Sequence, residues 1–112
     1  MLKQNILRGK RDFSIVYNKG KSVGDRYVVI FYRKNNRPYK RMAFVASKKV
    51  GNSVKRNRAI RLMKESYRLT DLQIPDGYDY IVIARNTIVD AKCAEVMKSF
   101  NSCMKRTGVL KK

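Results

Sequence analysis

Apolar positions recur along this chain with two different periods, and the changes of period mark out its elements. Over residues 10–19, Phe13, Val16 and Tyr17 stand at i, i+3 and i+4, so they share one face of a short helix, and Gly20 follows as a C-terminal stop. Residues 26–32 switch to a strand composition, with Tyr27, Val29 and Phe31 pointing one way and Val28, Ile30 and Tyr32 the other. Both sides being apolar implies a sheet covered on at least part of each face. Lys34-Asn35-Asn36-Arg37-Pro38 reads as a turn, which predicts a hairpin to a returning strand over 39–47 centred on Met42 to Val45.

The second half repeats the alternation. Ser47-Lys48-Lys49-Val50-Gly51-Asn52-Ser53 is a loop ending in good N-cap residues, and a helix follows over 54–69. On that helix Ala59, Ile60, Leu62, Met63, Ser66 and Tyr67 fall on a core-facing side, while Arg58, Arg61, Lys64, Glu65 and Arg68 fall on the other. Pro75-Asp76-Gly77 turns the chain into a strand over 78–85. A last helix over 90–106 carries the stripe Cys93, Val96, Met97, Phe100, Cys103 and Met104, with Asp90 as its expected N-cap. No repeat, linker or low-complexity segment interrupts this order. The expectation is a single domain spanning 1–112, with a core over about 5–106 and short flexible tails. Its class is α+β, an α-β sandwich with helices packed on a sheet of three to four strands. The fourth strand would come from a break within 21–32 or near Ser47.

Charge narrows the function. Lys and Arg number 27 against 8 Asp and Glu, a formal net charge of +19. From Arg26 through Lys64 the chain has 13 basic residues and no acidic one. Charge that serves only solubility would be interrupted by acids, as this run is after Glu65. A polyanion that relieves the self-repulsion is the expected partner. No apolar run approaches the roughly 20 residues that span a bilayer, and residues 1–11 lack the apolar core of a signal peptide, so no membrane role and a cytoplasmic location are expected.

The start of the helix over 54–69 sharpens this. Lys55, Arg56 and Arg58 sit where the helix dipole disfavours cations, and a sequence chosen for stability alone would place acids there. Clustered cations beside free backbone N–H groups make a phosphate site, and Lys48 and Lys49 lie just upstream. Phe13, Tyr17, Tyr27, Phe31 and Tyr32 supply aromatic surface on which single-stranded RNA can stack, although strand aromatics also fill cores. DNA is not the expected partner, since the basic helix has no helix-turn-helix companion.

The inventory for catalysis is thin. There is no His, the carboxylates are dispersed with no cluster to hold Mg²⁺, and no P-loop, G-x-S-x-G or G-x-G-x-x-G occurs. Cys93 and Cys103 lie ten residues apart, about 15 Å along a helix, which suits neither a disulfide between them nor a zinc site, so both are expected as buried, reduced thiols. A nuclease site within the chain is not expected, and no cofactor is expected on protein residues.

The run Ser47-Lys48-Lys49-Val50-Gly51-Asn52-Ser53-Val54-Lys55-Arg56-Asn57-Arg58, continuing Ala59-Ile60-Arg61-Leu62-Met63-Lys64-Glu65, closely resembles the signature of the bacterial ribonuclease P protein subunit, a strand-loop-helix with an R-N-R triplet. Asp12-Phe13, the strand from Arg26 and the Tyr-Ile-Val-Ile-Ala-Arg ending at Arg85 agree with it, so the resemblance covers roughly residues 5–106. It implies a four-stranded sheet with a left-handed β-α-β crossover, against the usual hand. It also implies a partner, a large catalytic RNA that with its Mg²⁺ removes the 5′ leader of precursor tRNA, the second partner. By this resemblance Lys49, Asn52, Lys55, Arg56, Asn57, Arg58, Arg61, Lys64 and Arg68 would face the catalytic RNA. Phe13, Tyr17 and Phe31 would line the leader cleft, with Ser47 and Lys48 at its edge. Family members often carry a basic residue where this chain has Ile60, so no contact is carried over there. The competing expectation from charge and size alone is a ribosomal protein or RNA chaperone with no part in cleavage.

Overall fold

The computed structural model describes residues 2–110; the outermost tail residues, Met1, Lys111 and Lys112, lie outside them. Three helices and four strands follow one another as α1 (Lys10–Lys19), β1 (Lys21–Gly24), β2 (Val28–Lys34), β3 (Arg41–Val45), α2 (Ser53–Leu69), β4 (Tyr78–Ala84) and α3 (Cys93–Arg106), with 3-10 turns at Lys3–Asn5 and Asn86–Asp90. The fourth strand expected within residues 21–32 is β1. Among the described residues no helix is long and apolar enough to cross a membrane.

The sheet order is β1-β2-β4-β3. This corrects the hairpin predicted between β2 and β3: the hairpin joins β1 and β2, whereas β4 pairs antiparallel with β2 and parallel with β3. Turn chemistry at residues 34–38 specifies a change of direction but not the partner, and β4, apolar on both sides, takes the central place. Its burial is near complete at Tyr80, Ile81 and Val82. The crossover from β3 through α2 to β4 links neighbouring parallel strands.

Register places Phe31, Ile81 and Ala43 in one row across the sheet and Val29, Ile83 and Val45 in the next. Side chains alternate across a sheet, so these rows share one face. The opposite face, with Val28, Ile30, Met42, Tyr80 and Val82, carries the main core against Ala59 and Met63 of α2 and Val96, Phe100, Cys103 and Met104 of α3. The face with Phe31 is covered less fully: Val16 of α1 and Leu7 pack on Ala43 and Ile81, leaving Val29, Val45 and Ile83 half-buried.

Three local expectations are revised. Gly20 ends α1 in extended backbone (φ −86°), not in the left-handed region; a Cβ there would meet the Val16 carbonyl oxygen at 2.5 Å and that of Tyr32 at 2.7 Å, so glycine is required by close approach. α3 begins at Cys93, because Asp90 belongs to the preceding 3-10 turn; Glu95 Oε1 accepts the Lys92 N–H at 2.8 Å and closes the first turn. Tyr27 lies before β2 and joins the helix-covered core together with Val28, not the face of Phe31. At the C-terminal side Thr107 and Val109 are buried, and the Tyr32 hydroxyl donates to the Thr107 carbonyl at 3.0 Å.

Candidate nucleic-acid interface

The half-covered face of the sheet gathers the three aromatics expected in the cleft. α1 crosses this face near the β2 C-terminus and presents Phe13 and Tyr17 from successive turns, 6.2 Å apart between ring centroids. Tyr17 meets Phe31 of β2 edge-on at 5.0 Å and 81°. Phe13 and Phe31 are half-buried and Tyr17 is 37% exposed, so the trio is a wall open to solvent on one side. Burial against it pushes the Tyr17 hydroxyl above its ordinary pKa. Beside this wall Val29, Ile83 and Val45 form an apolar floor.

Ser47 and Lys48, expected at the cleft edge, are exposed two to three residues beyond the end of the floor at Val45. The loop they begin is tight: Val50 N–H donates to the Ser47 carbonyl at 3.0 Å and Gly51 N–H to that of Lys48 at 3.1 Å. Val50 is buried and anchors the loop. Gly51 has φ +141°, and a Cβ there would lie 2.7 Å from the Lys55 side chain. Asn52 caps α2, its Oδ1 accepting the Lys55 N–H at 3.0 Å. Among the described residues its amide nitrogen has no hydrogen-bond partner.

The polar residues expected to face the catalytic RNA from α2 divide into two groups. Lys55, Asn57, Arg61, Lys64 and Arg68 are exposed, and Arg68 pairs with Glu65 (Nη2 to Oε2 at 2.7 Å), which holds the Glu65 carboxyl below its ordinary range. Arg58 differs: its guanidinium donates to the carbonyls of Val89 at 3.1 Å and Ala91 at 2.7 Å. It is half-buried and pins the turn before α3, so the fully solvated position that the helical wheel predicts for it is revised. Arg56 is half-buried too, and its Nε is buried with no partner among the described residues. Ile60 packs against the main core.

The basic surface of α2 and the aromatic cleft therefore lie on opposite faces of the sheet, and they meet at the loop 47–52. This relationship is invisible in sequence, where Phe13 and Phe31 are far from the R-N-R triplet. The sequence also gave no signal for a polar cluster at the other end of the cleft. There Arg41 of β3 pairs with Asp79 of β4 and reaches Asp12 of α1, in the row of the register that holds Arg33, Asp79 and Arg41. Strand pairing brings Asp79, and the packing of α1 on the sheet brings Asp12, to that one cation.

Among the described residues no three His, Cys, Asp or Glu side chains lie close enough to hold a metal ion. Neither cysteine is in a disulfide; Cys103 is buried, its thiol donates to the Val28 carbonyl at 3.6 Å, and burial raises its pKa to about 11.

A family model described as Ribonuclease P matches residues 1–108. The chain is 37% identical to the ribonuclease P protein component of Pelotomaculum thermopropionicum over 94% of each chain. It is 41% identical to that of Alkaliphilus oremlandii, covering 95% of this chain and 93% of the relative. The solved structure of the Staphylococcus aureus RNase P protein superimposes with a TM-score of 0.84 at 29% identity, covering 96% of this chain and 98% of that one.

Proposed function

This chain belongs to the ribonuclease P protein family, the protein component of an endoribonuclease, and we propose that it acts in the cytoplasm by holding two RNAs at once, the catalytic RNA on α2 and the 5′ leader of precursor tRNA in the aromatic cleft. The observation that carries this reading is the placement of the two surfaces on opposite faces of one sheet, joined at the loop 47–52. Lys49, Asn52, Lys55, Arg56, Asn57, Arg61, Lys64 and Arg68 neutralise phosphates of the catalytic RNA, and Arg58 adds to them with the donors its two backbone contacts leave free. Leader bases stack on Phe13, Tyr17 and Phe31, while Ser47 and Lys48 meet the backbone where the leader leaves the cleft.

The chemistry belongs to the RNA and its Mg²⁺. The protein's part is electrostatic and positional: it lowers the repulsion between catalytic RNA and substrate, and it fixes the leader so that the scissile phosphate is presented in register. Cations at the junction also reduce the Mg²⁺ needed to offset phosphate charge. The experiment is cleavage of precursor tRNA by a bacterial ribonuclease P RNA at limiting Mg²⁺, with and without the protein, beside a protein-only control. Rescue only when both are present is the expected result. No rescue by folded, RNA-binding protein would favour the ribosomal or chaperone role, and cleavage by protein alone would place the active site in the chain.

A further inference from the structure

The edge of the sheet carries a groove away from the start of α2 that touches the aromatic cleft only through Phe13, Leu7 and Ala43. It has a volume of about 810 Å³ and lies between residues 2–7, the outer edge of β3 and the C-terminal half of α2. Its outer wall is anchored to β3: Ile6 bridges to Met42, Leu7 N–H donates to the Met42 carbonyl at 2.9 Å, and the Asn5 side-chain Nδ2 donates to the Lys40 carbonyl at 2.7 Å. The groove is thus part of the fold.

Three kinds of group line it. Phe44 and Tyr67 put an aromatic pair on its wall, with ring centroids 6.0 Å apart and planes inclined at 52°. The Tyr67 hydroxyl and the Asn5 Oδ1 are polar atoms with no hydrogen-bond partner among the described residues. Lys40, Lys64 and Arg68 contribute cations. Lys64 has no ion pair among the described residues, and the acids beside the other two, Asp76 and Glu65, are themselves substantially exposed.

An unstacked nucleotide matches all three: a flat π face for the rings, edge donors and acceptors for Tyr67 and Asn5, and a phosphate for the cations. We propose that this groove receives a nucleotide of the catalytic RNA turned out of its helix. The inference rests on the reading that α2 faces that RNA. Lys64 and Arg68 belong both to the exposed ridge of α2 and to the groove, so RNA laid along the ridge carries its phosphates past the groove mouth. The aromatic pair and the cations of the groove, Phe44, Tyr67, Lys40, Lys64 and Arg68, all stand apart from the leader wall of Phe13, Tyr17 and Phe31, whose only member in the groove is Phe13.

The test uses the reconstituted holoenzyme with precursor tRNA bound. Irradiation at short ultraviolet wavelength followed by mass spectrometry should yield an adduct joining Phe44 or Tyr67 to a nucleotide of the catalytic RNA. Two variants probe the same contact by affinity. Tyr67→Leu keeps apolar bulk without the ring, and Leu2→Glu puts a negative charge at the groove mouth on a side chain that is 69% exposed and bears no core load. Each should weaken catalytic-RNA binding about tenfold, the scale of one lost base stack, and leave the preference for precursor over mature tRNA unchanged. Arg61→Ala, on the ridge outside the groove, is the control. If it weakens binding while Leu2→Glu has no effect and no catalytic-RNA adduct forms, the groove proposal is overturned and the ridge reading stands. An adduct to a leader nucleotide also overturns it. If Arg61→Ala has no effect either, the ridge reading falls as well.

Discussion

Arg41 holds Asp79 by two parallel hydrogen bonds, Nε to Oδ1 at 2.8 Å and Nη2 to Oδ2 at 2.6 Å, and its remaining Nη1 reaches Oδ2 of Asp12 at 3.1 Å. One guanidinium thereby ties β3 to β4 and both to α1, the helix that carries Phe13 and Tyr17. Asn35 adds a further hydrogen bond to Asp79 at 2.9 Å. Hydrogen bonding by Asp79 first, with the charges of Asp79 and Asp12 behind it, raises the pKa of Arg41 against the opposing effect of burial.

Removing the two acids should have unequal effects. Asp79→Ala removes the bidentate partner of a guanidinium whose side chain is 13% exposed and leaves it only the more exposed Asp12, so a loss of about 3–5 kcal/mol is expected. Asp12, 37% exposed, contributes a pair in solvent, so Asp12→Ala should cost about 0–1 kcal/mol. Urea unfolding of the isolated protein measures both, and similar losses would contradict the burial argument.

In the cleft, Phe13→Ala and Phe31→Ala should weaken holoenzyme binding of leader-bearing precursor by about 1–3 kcal/mol, the value of one base-aromatic stack, with much less effect on mature tRNA. Circular dichroism establishes that the variants fold. Equal loss for both substrates would remove the leader from this face.

Along α2 the exposed and the tethered cations should separate in a salt titration. Arg61→Ala and Lys64→Ala should each flatten the slope of log affinity for the catalytic RNA against log salt by about 0.7–0.9, one phosphate contact apiece. Arg58→Ala should in addition lower stability by about 1–3 kcal/mol, because it frees the carbonyls of half-buried Val89 and buried Ala91. An Arg58→Ala protein as stable as the parent would show that those contacts do not hold the turn.

Alkali should expose the buried thiol. Folding raises the Cys103 pKa from its ordinary 9.0 to about 11, chiefly by burial. The unfolded chain therefore releases this proton first, and the stabilisation is complete below pH 9 and lost as pH rises from 9 to 11. Cys103→Ala should show a shallower fall in stability over that window. At neutral pH a thiol reagent should modify half-buried Cys93 readily and Cys103 only in denaturant.

Much of the candidate site was legible because its signals are local. The R-N-R helix, its Asn52 cap and its core-facing stripe each depend on residues within a few positions, and the observed α2 differs from the expected one by a single residue at its start. The cysteines, the short α1 and the aromatics as candidates for stacking could likewise be read from spacing and residue type. Where the reading failed, long-range pairing decided. The turn at residues 34–38 predicted a hairpin, but β4, more than thirty residues later, enters between β2 and β3 because a strand apolar on both sides is most stable with neighbours and cover on each.

The sequence by itself determined that this chain is a strongly basic α+β protein, where its arginine-rich helix begins, and which residue types could grip phosphate and stack on bases, since periodicity, capping and charge act over short stretches of chain. Only the tertiary structure decided that Phe13, Tyr17 and Phe31 form one wall, that Arg58 is half withdrawn into the fold, and that Arg41 joins Asp12 and Asp79, two acids far apart in sequence. Those facts follow from strand order and helix packing, which sum many distant contacts and leave no mark on any single segment.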